Sequence, residues 1–237
     1  MFGLEDKVIF VTGGNRGIGA AIVDVLTQLG ARVAYTYRSE PGPDAALAIQ
    51  ADVTDPDSMA AAIARVETEV GAIYGVVLNA GITKDNLFSN ISVEDWYAVI
   101  DTNLNGVFNT LRPIVPHLYA RSSGSLVFIS SVVGEQGNIG QANYAASKAA
   151  VIGLAKTLGL EGARYGVRAN VVAPGFTSTD MVKAVPDKVK ERILSKIPLR
   201  RFAEPAEIGW AVAFLMSPVM ASYITGEVMS VNGGQYT

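Results

Sequence analysis

The chain has 237 residues, 19 basic against 22 acidic side chains for a net charge of −3, and 49% hydrophobic against 17% charged residues. Such apolar content excludes intrinsic disorder, and a mildly acidic chain without Lys/Arg blocks argues against a nucleic-acid or polybasic membrane binder. The absence of cysteine excludes disulfide scaffolds, thiolate catalysis and Cys-type zinc sites, and one histidine, His117, scarcely supports a Ser-His-Asp triad or a multi-histidine metal site, so no metal is expected.

The first residues, Met1 to Lys7, show no basic segment leading into an apolar run, which predicts no signal peptide. Apolar runs such as 210–216 fall far short of the roughly 20 residues that span a bilayer, so a soluble, cytoplasmic protein is expected. The length fits one α/β domain over 1–237. Short β-branched runs at 8–12, 32–37, 46–51, 73–78, 125–130, 168–172 and 227–231 alternate with helix-period stretches at 18–29, 56–70, 93–118, 144–165 and 205–216. This is the pattern of βαβ units, and strands apolar on both faces require helices on both sides of a parallel sheet. Asp55 before Pro56 predicts a helix start, and Ser217-Pro218 a stop. Between the second and third strands only 39–45 intervene, with Pro41-Gly42-Pro43 inside, so a loop with at most one helical turn is expected there.

After the first strand, Thr12-Gly13-Gly14-Asn15-Arg16-Gly17-Ile18-Gly19 opens into a helix. Gly13, Gly17 and Gly19 allow a tight turn and close approach of a pyrophosphate, to which the helix N-terminus presents free N–H groups. The spacing is G-x-x-x-G-x-G, and a glycine-rich turn without a ligand is the alternative. At the end of the second strand stand Arg38 and Ser39, with no carboxylate before Glu40. An arginine there accommodates the 2′-phosphate of NADP(H), where an acidic residue would take the ribose of NAD. Asp52-Val53 and Asn79-Ala80-Gly81 follow the third and fourth strands, at the carboxyl edge where the adenine and nicotinamide halves would rest.

Tyr144 and Lys148 are four apart in a helix-forming stretch and so share one face. A phenol near pKa 10 is a poor base at neutrality, and the neighbouring ammonium is expected to pull that value down. Ser131, at the end of the fifth strand, is placed to polarise a substrate carbonyl.

Together, Thr12-Gly13-x-x-x-Gly17-x-Gly19, Asn79-Ala80-Gly81, Asn103, Ser131, Tyr144-x-x-x-Lys148 and Pro174-Gly175 resemble the short-chain dehydrogenases/reductases, over essentially the whole chain. Within them the chain is most similar to the 3-oxoacyl-(acyl carrier protein) reductases and acetoacetyl-CoA reductases, through segments 79–86, 137–144, 172–176 and 223–227. The resemblance implies a Rossmann fold and NADPH-dependent reduction of a 3-oxoacyl thioester. It makes Tyr144 the proton donor, Ser131 the holder of the carbonyl oxygen and Lys148 the ligand of the nicotinamide ribose. Asn103 would anchor a proton-relaying water, and Thr177, after Pro174-Gly175, would touch the nicotinamide carboxamide or phosphate. A homotetramer, a substrate lid over 176–199 and, through Arg121 and Arg164, docking of an acidic acyl carrier protein are further expectations. Another ketoreductase of small ketones, or a non-catalytic NADP(H)-binding sensor, is the alternative reading.

Overall fold

Strands that are apolar on both faces are stable only between two layers of helices, and the computed structural model, which describes residues 2–179 and 187–237, has that arrangement. Seven strands, β1 (Val8–Val11), β2 (Arg32–Tyr37), β3 (Leu47–Gln50), β4 (Ile73–Leu78), β5 (Gly124–Ile129), β6 (Val167–Pro174) and β7 (Val228–Val231), form one sheet in the order β3-β2-β1-β4-β5-β6-β7. Every pairing is parallel. The helices are α1 (Gly17–Gln28), α2 (Pro56–Glu69), α3 (Val93–Ile100), α4 (Gly106–Arg121), α5 (Val132–Gln136), α6 (Ala142–Ala163), α7 (Asp187–Leu194) and α8 (Pro205–Met216).

Alternate residues of each strand enter opposite cores. Val8, Phe10, Leu126 and Phe128 pack with Ile63 and Val66 of α2, Leu111 and Ile114 of α4, and Val151 of α6. Ile9, Val11, Val77 and Val127 face the other way, against Ile22 and Leu26 of α1 and Ile208 and Val212 of α8. Local signals hold these helices in place: the Asp55 carboxylate accepts from the Asp57 and Ser58 amides ahead of α2, and Glu204 and Glu207 close a reciprocal capping box around Pro205. The strand order reverses at β1, which lies between β2 and β4, and the crevice beyond the carboxyl ends of β1 and β4 is where such sheets bind ligands.

Two local features differ from the sequence expectations. The stretch 93–118 is not one uninterrupted helix: a π-helical turn, Asp101–Asn105, separates α3 from α4. The extra residue turns Asn103 inward, and the 3.6-residue apolar period does not register a single insertion. As expected, residues 38–46 form a loop, without a helical turn. Helix α5, not anticipated, starts at Ser131, whose hydroxyl accepts from the Val133 amide at 3.1 Å. Of the expected lid, residues 180–186 lie outside the described residues, and α7 covers Asp187–Leu194.

Candidate active site

The glycine-rich turn connects β1 to α1. Gly13 (φ +65°) and Gly17 (φ +56°) adopt the left-handed region that side chains disfavour. A β-carbon on Gly19 would lie 2.1 Å from the Gly13 carbonyl oxygen, so the third glycine lets the helix sit on the turn. Arg16 is the N-cap of α1 and gives no side-chain cap, and the first turn carries no acidic residue. Its N–H groups, which a helix cannot satisfy internally, are therefore left for an anion. A Cβ-free cradle with an uncapped helix start fits the pyrophosphate of a dinucleotide.

Arg38 and Ser39 are exposed at the end of β2. Asp52, beyond β3, is held by the amide and hydroxyl of Thr54 at 2.9 and 2.8 Å. The Thr54 amide, with Arg38 as a weaker contributor, lowers its carboxyl pKa. Val53 packs against α4, where a β-carbon on Gly106 would come within 2.8 Å of its side chain, and its carbonyl accepts from Asn109. Beyond β4, Asn79 donates to the carbonyls of Thr12 and Gly13 at 3.0 and 2.9 Å, and the amides of Asn79 and Ala80 donate to the Thr12 hydroxyl. The Asn79 side chain thus fastens the fourth strand end to the glycine-rich turn.

Asn103 is 1% exposed. It accepts from the Ile82 amide at 2.8 Å and donates to the Ile82 carbonyl and the Ser147 hydroxyl, both at 3.0 Å. A β-carbon on Gly81 would lie 3.2 Å from Asn103 Oδ1 and 3.4 Å from Lys148 Nζ. The missing side chain of Gly81 therefore opens the site between these two groups. Lys148, buried at 5% exposure, donates to the Ile129 carbonyl at 2.7 Å, and its Nζ is 5.7 Å from the centre of the Tyr144 ring. Burial lowers its pKa to about 8.

Tyr144 lies one helical turn before Lys148 on α6. The expectation that the ammonium lowers the phenol pKa is corrected here. Burial dominates and pushes Tyr144 up to about 12, opposed by the nearby Ser131 hydroxyl and assisted by the Asp85 carboxylate. The ammonium is directed at Ile129 instead. The phenol is consequently protonated at neutrality. Close contact of α5 with α6 locks this geometry: a β-carbon on Gly134 would reach 2.8 Å from the Lys148 carbonyl carbon.

Past β6, Gly175 lies against Asn232, and Thr177, 5% exposed, donates to the Gly175 carbonyl. Two contributors were not singled out as site residues in the sequence. Thr179 has its methyl 3.5 Å from a β-carbon built on Gly17, bringing the segment after β6 onto the glycine-rich turn. Asp85 accepts from Gln141 at 2.9 Å, while the Asn86 amide donates to Gly140, stitching the loop after β4 to the start of α6.

Other singled-out residues lie elsewhere. Arg121 makes a two-point ion pair with Glu67 (2.8 and 2.7 Å) and contacts the Ile73 carbonyl, at the amino end of the strands opposite the site. Arg164 follows the far end of α6, over the Tyr165 ring. His117, half exposed, touches Glu67. The described residues include no helix long and apolar enough to cross a membrane.

A family model described as "Enoyl-(Acyl carrier protein) reductase" matches residues 13–236. Among curated relatives, an "Acetoacetyl-CoA reductase" of Synechocystis sp. is 56% identical over 236 residues, covering 99% of this chain and 98% of that protein. A "3-oxoacyl-[acyl-carrier-protein] reductase FabG" of Vibrio cholerae is 44% identical over 241 residues, covering 98% of both. A protein of the same name from Staphylococcus aureus is 44% identical over 242 residues, covering 97% and 98%.

Proposed function

The chain belongs to the short-chain dehydrogenase/reductase family, and on that premise we propose that it reduces a 3-oxoacyl thioester, with acetoacetyl-CoA favoured, to the 3-hydroxyacyl thioester using NADPH. The observation that carries this reading is the convergence of Ser131, Tyr144 and Lys148 at the carboxyl edge of the sheet beside an uncapped, glycine-lined helix start. The high identity to a protein named for acetoacetyl-CoA supports the substrate class.

In this reading Gly13, Asn15, Arg16, Gly17, Ile18 and Gly19 hold the pyrophosphate, and Arg38 with Ser39 takes the 2′-phosphate. Asp52 and Val53 border the adenine, Asn79, Ala80 and Gly81 the nicotinamide ribose, and Pro174, Gly175 and Thr177 the nicotinamide. The bound cofactor supplies hydride to the β-carbon of the substrate. Ser131 holds the carbonyl oxygen, and Tyr144 gives that oxygen its proton. A phenol pushed up to about 12 is in the protonated form this step needs at neutral pH. Lys148, with Nζ beside Gly81, binds the ribose and presents positive charge below the ring as phenolate character develops. Asn103 holds the loop after β4 and, as the resemblance implies, a water leading protons toward Lys148.

The same reading gives one domain with a lid over 176–199 and a cytoplasmic homotetramer. Exposed Val93, Tyr97 and Phe108 on α3 and α4, and Leu160 on α6, supply apolar surface for subunit contact. The four-residue spacing of Tyr144 and Lys148 favours keto over enoyl reduction within the family. Because Arg121 and Arg164 lie away from the site in their own chain, neither supports a carrier-protein requirement.

NADPH oxidation, followed by absorbance with acetoacetyl-CoA and acetoacetyl-(acyl carrier protein) at matched low concentrations, tests the proposal. Turnover of the CoA thioester at least equal to that of the carrier-protein substrate is expected. A strong carrier-protein advantage would overturn the CoA preference, and turnover of neither would overturn the substrate class.

A further inference from the structure

The connection between β2 and β3 is too short for a crossover helix, and it lies as a strap along the glycine-rich turn. Tyr35, 1% exposed in the middle of β2, sends its hydroxyl into this strap. The hydroxyl accepts from the Gly42 amide at 2.8 Å and donates to the Pro43 carbonyl at 3.1 Å. From the turn, Asn15 donates to the Glu40 carbonyl at 3.0 Å. Gly42 sits so close to the turn that a β-carbon there would fall 2.3 Å from the Asn15 carbonyl oxygen. On the other side, a β-carbon on Gly14 would fall 2.5 Å from that of Tyr35. Strap, turn and Tyr35 thus form one interlocked unit, whose first residues are Arg38 and Ser39.

We propose that Tyr35 is a positioning residue for coenzyme selectivity: by pinning the strap to the phosphate turn, its hydroxyl holds Arg38 and Ser39 beside Asn15 and Arg16 as a preset 2′-phosphate pocket. This rests on the NADPH reading given above. Charge-assisted recognition of a phosphate gains from groups that are ordered before binding, because ordering a loop on binding subtracts from affinity. Pro41 and Pro43 work in the same direction by restricting the unbound strap. No sequence signal marks this role, since Tyr35 reads as one more residue of a buried strand.

The test is a set of kcat and KM values for NADPH and for NADH in the wild type, Tyr35→Phe and Gly42→Ala. Removing one hydroxyl breaks two hydrogen bonds to the strap, so Tyr35→Phe is expected to raise the KM for NADPH roughly three- to tenfold. Its kcat with NADPH and its KM for NADH should stay within about twofold. Gly42→Ala lifts the strap by a clash rather than a lost bond and should give the same pattern; it decides the matter if Tyr35→Phe does not fold. A wild type that favours NADPH together with variants that leave both KM values unchanged, or raise them equally, overturns the role of Tyr35 alone. A wild type without NADPH preference overturns the coenzyme reading and this proposal with it.

Discussion

Lys148 donates to the Ile129 carbonyl at 2.7 Å, so a single strand-end oxygen holds the buried cation beneath the Tyr144 ring. Burial brings the lysine pKa to about 8, against an ordinary value of 10.5. Below pH 8 the folded chain carries the full cost of the buried charge. Between 8 and 10.5 the unfolded chain holds more protons, so this contribution to stability rises with pH.

Lys148→Met should therefore lose turnover while melting higher at pH 7. A pKa difference of this size corresponds to about 3 kcal/mol, from which the orphaned Ile129 carbonyl takes back about 1–3 kcal/mol. A net gain near 1 kcal/mol should raise Tm by roughly 2–4 °C. Thermal melts from pH 7 to 10.5 should show the advantage shrinking. A variant that melts lower at pH 7 would contradict the burial cost.

The same titration bears on rate. If the cationic form of Lys148 supports proton donation by Tyr144, kcat/KM for reduction should fall as pH rises through about 8. A profile that stays flat from pH 7 to 10 would show that the charge on Lys148 is not needed.

Gly19 has no room for a methyl group, with the Gly13 carbonyl oxygen at 2.1 Å and the Asn79 amide nitrogen at 2.6 Å from the built position. Since the first atom is backbone of the turn and the second belongs to the Asn79 side chain that ties the end of β4 to it, Gly19→Ala must displace α1 from the turn. NADPH affinity, read by fluorescence titration, should drop by at least about tenfold, with a stability loss of about 1–3 kcal/mol. Unchanged affinity would mean that the turn is not the phosphate cradle.

At the opposite end of the sheet, Glu67 joins Arg121, His117 and the Ile73 amide. The Arg121 hydrogen bond lowers its carboxyl pKa, so its stabilisation is complete above pH 4.5 and is lost as pH falls through the folded value. Glu67→Gln is expected to cost about 1 kcal/mol at pH 7, with kcat/KM untouched. The Tm gap between wild type and variant should close on acidification. A variant with impaired reduction would place this cluster in the catalytic account.

The fold was readable because parallel strands covered on both faces are continuously apolar. Runs such as Val8-Ile-Phe-Val and Leu126-Val-Phe-Ile can belong to little else, and the boundaries of β2, β4 and α8 agree with the periodicity. Short-range order set by packing was not readable. The π turn around Asn103 depends on partners at Ile82 and Ser147, and α5 depends on the close crossing at Gly134. Within the site, Tyr144 and Lys148 share a face by spacing alone. Their electrostatics followed burial and the Ile129 carbonyl, and these exist only once the sheet has formed. The anchoring role of Asn79, and the approach of Thr179 to Gly17, likewise come from distant segments meeting.

The most direct test of the account is Tyr144→Phe, assayed for NADPH binding by fluorescence and for acetoacetyl-CoA reduction by absorbance. Removing the hydroxyl keeps the ring that Lys148 underlies but takes away the proton destined for the carbonyl oxygen. The account predicts NADPH affinity within about threefold of wild type and turnover reduced by at least about a hundredfold, the lower end of what general acid catalysis contributes. Near-normal turnover would contradict it.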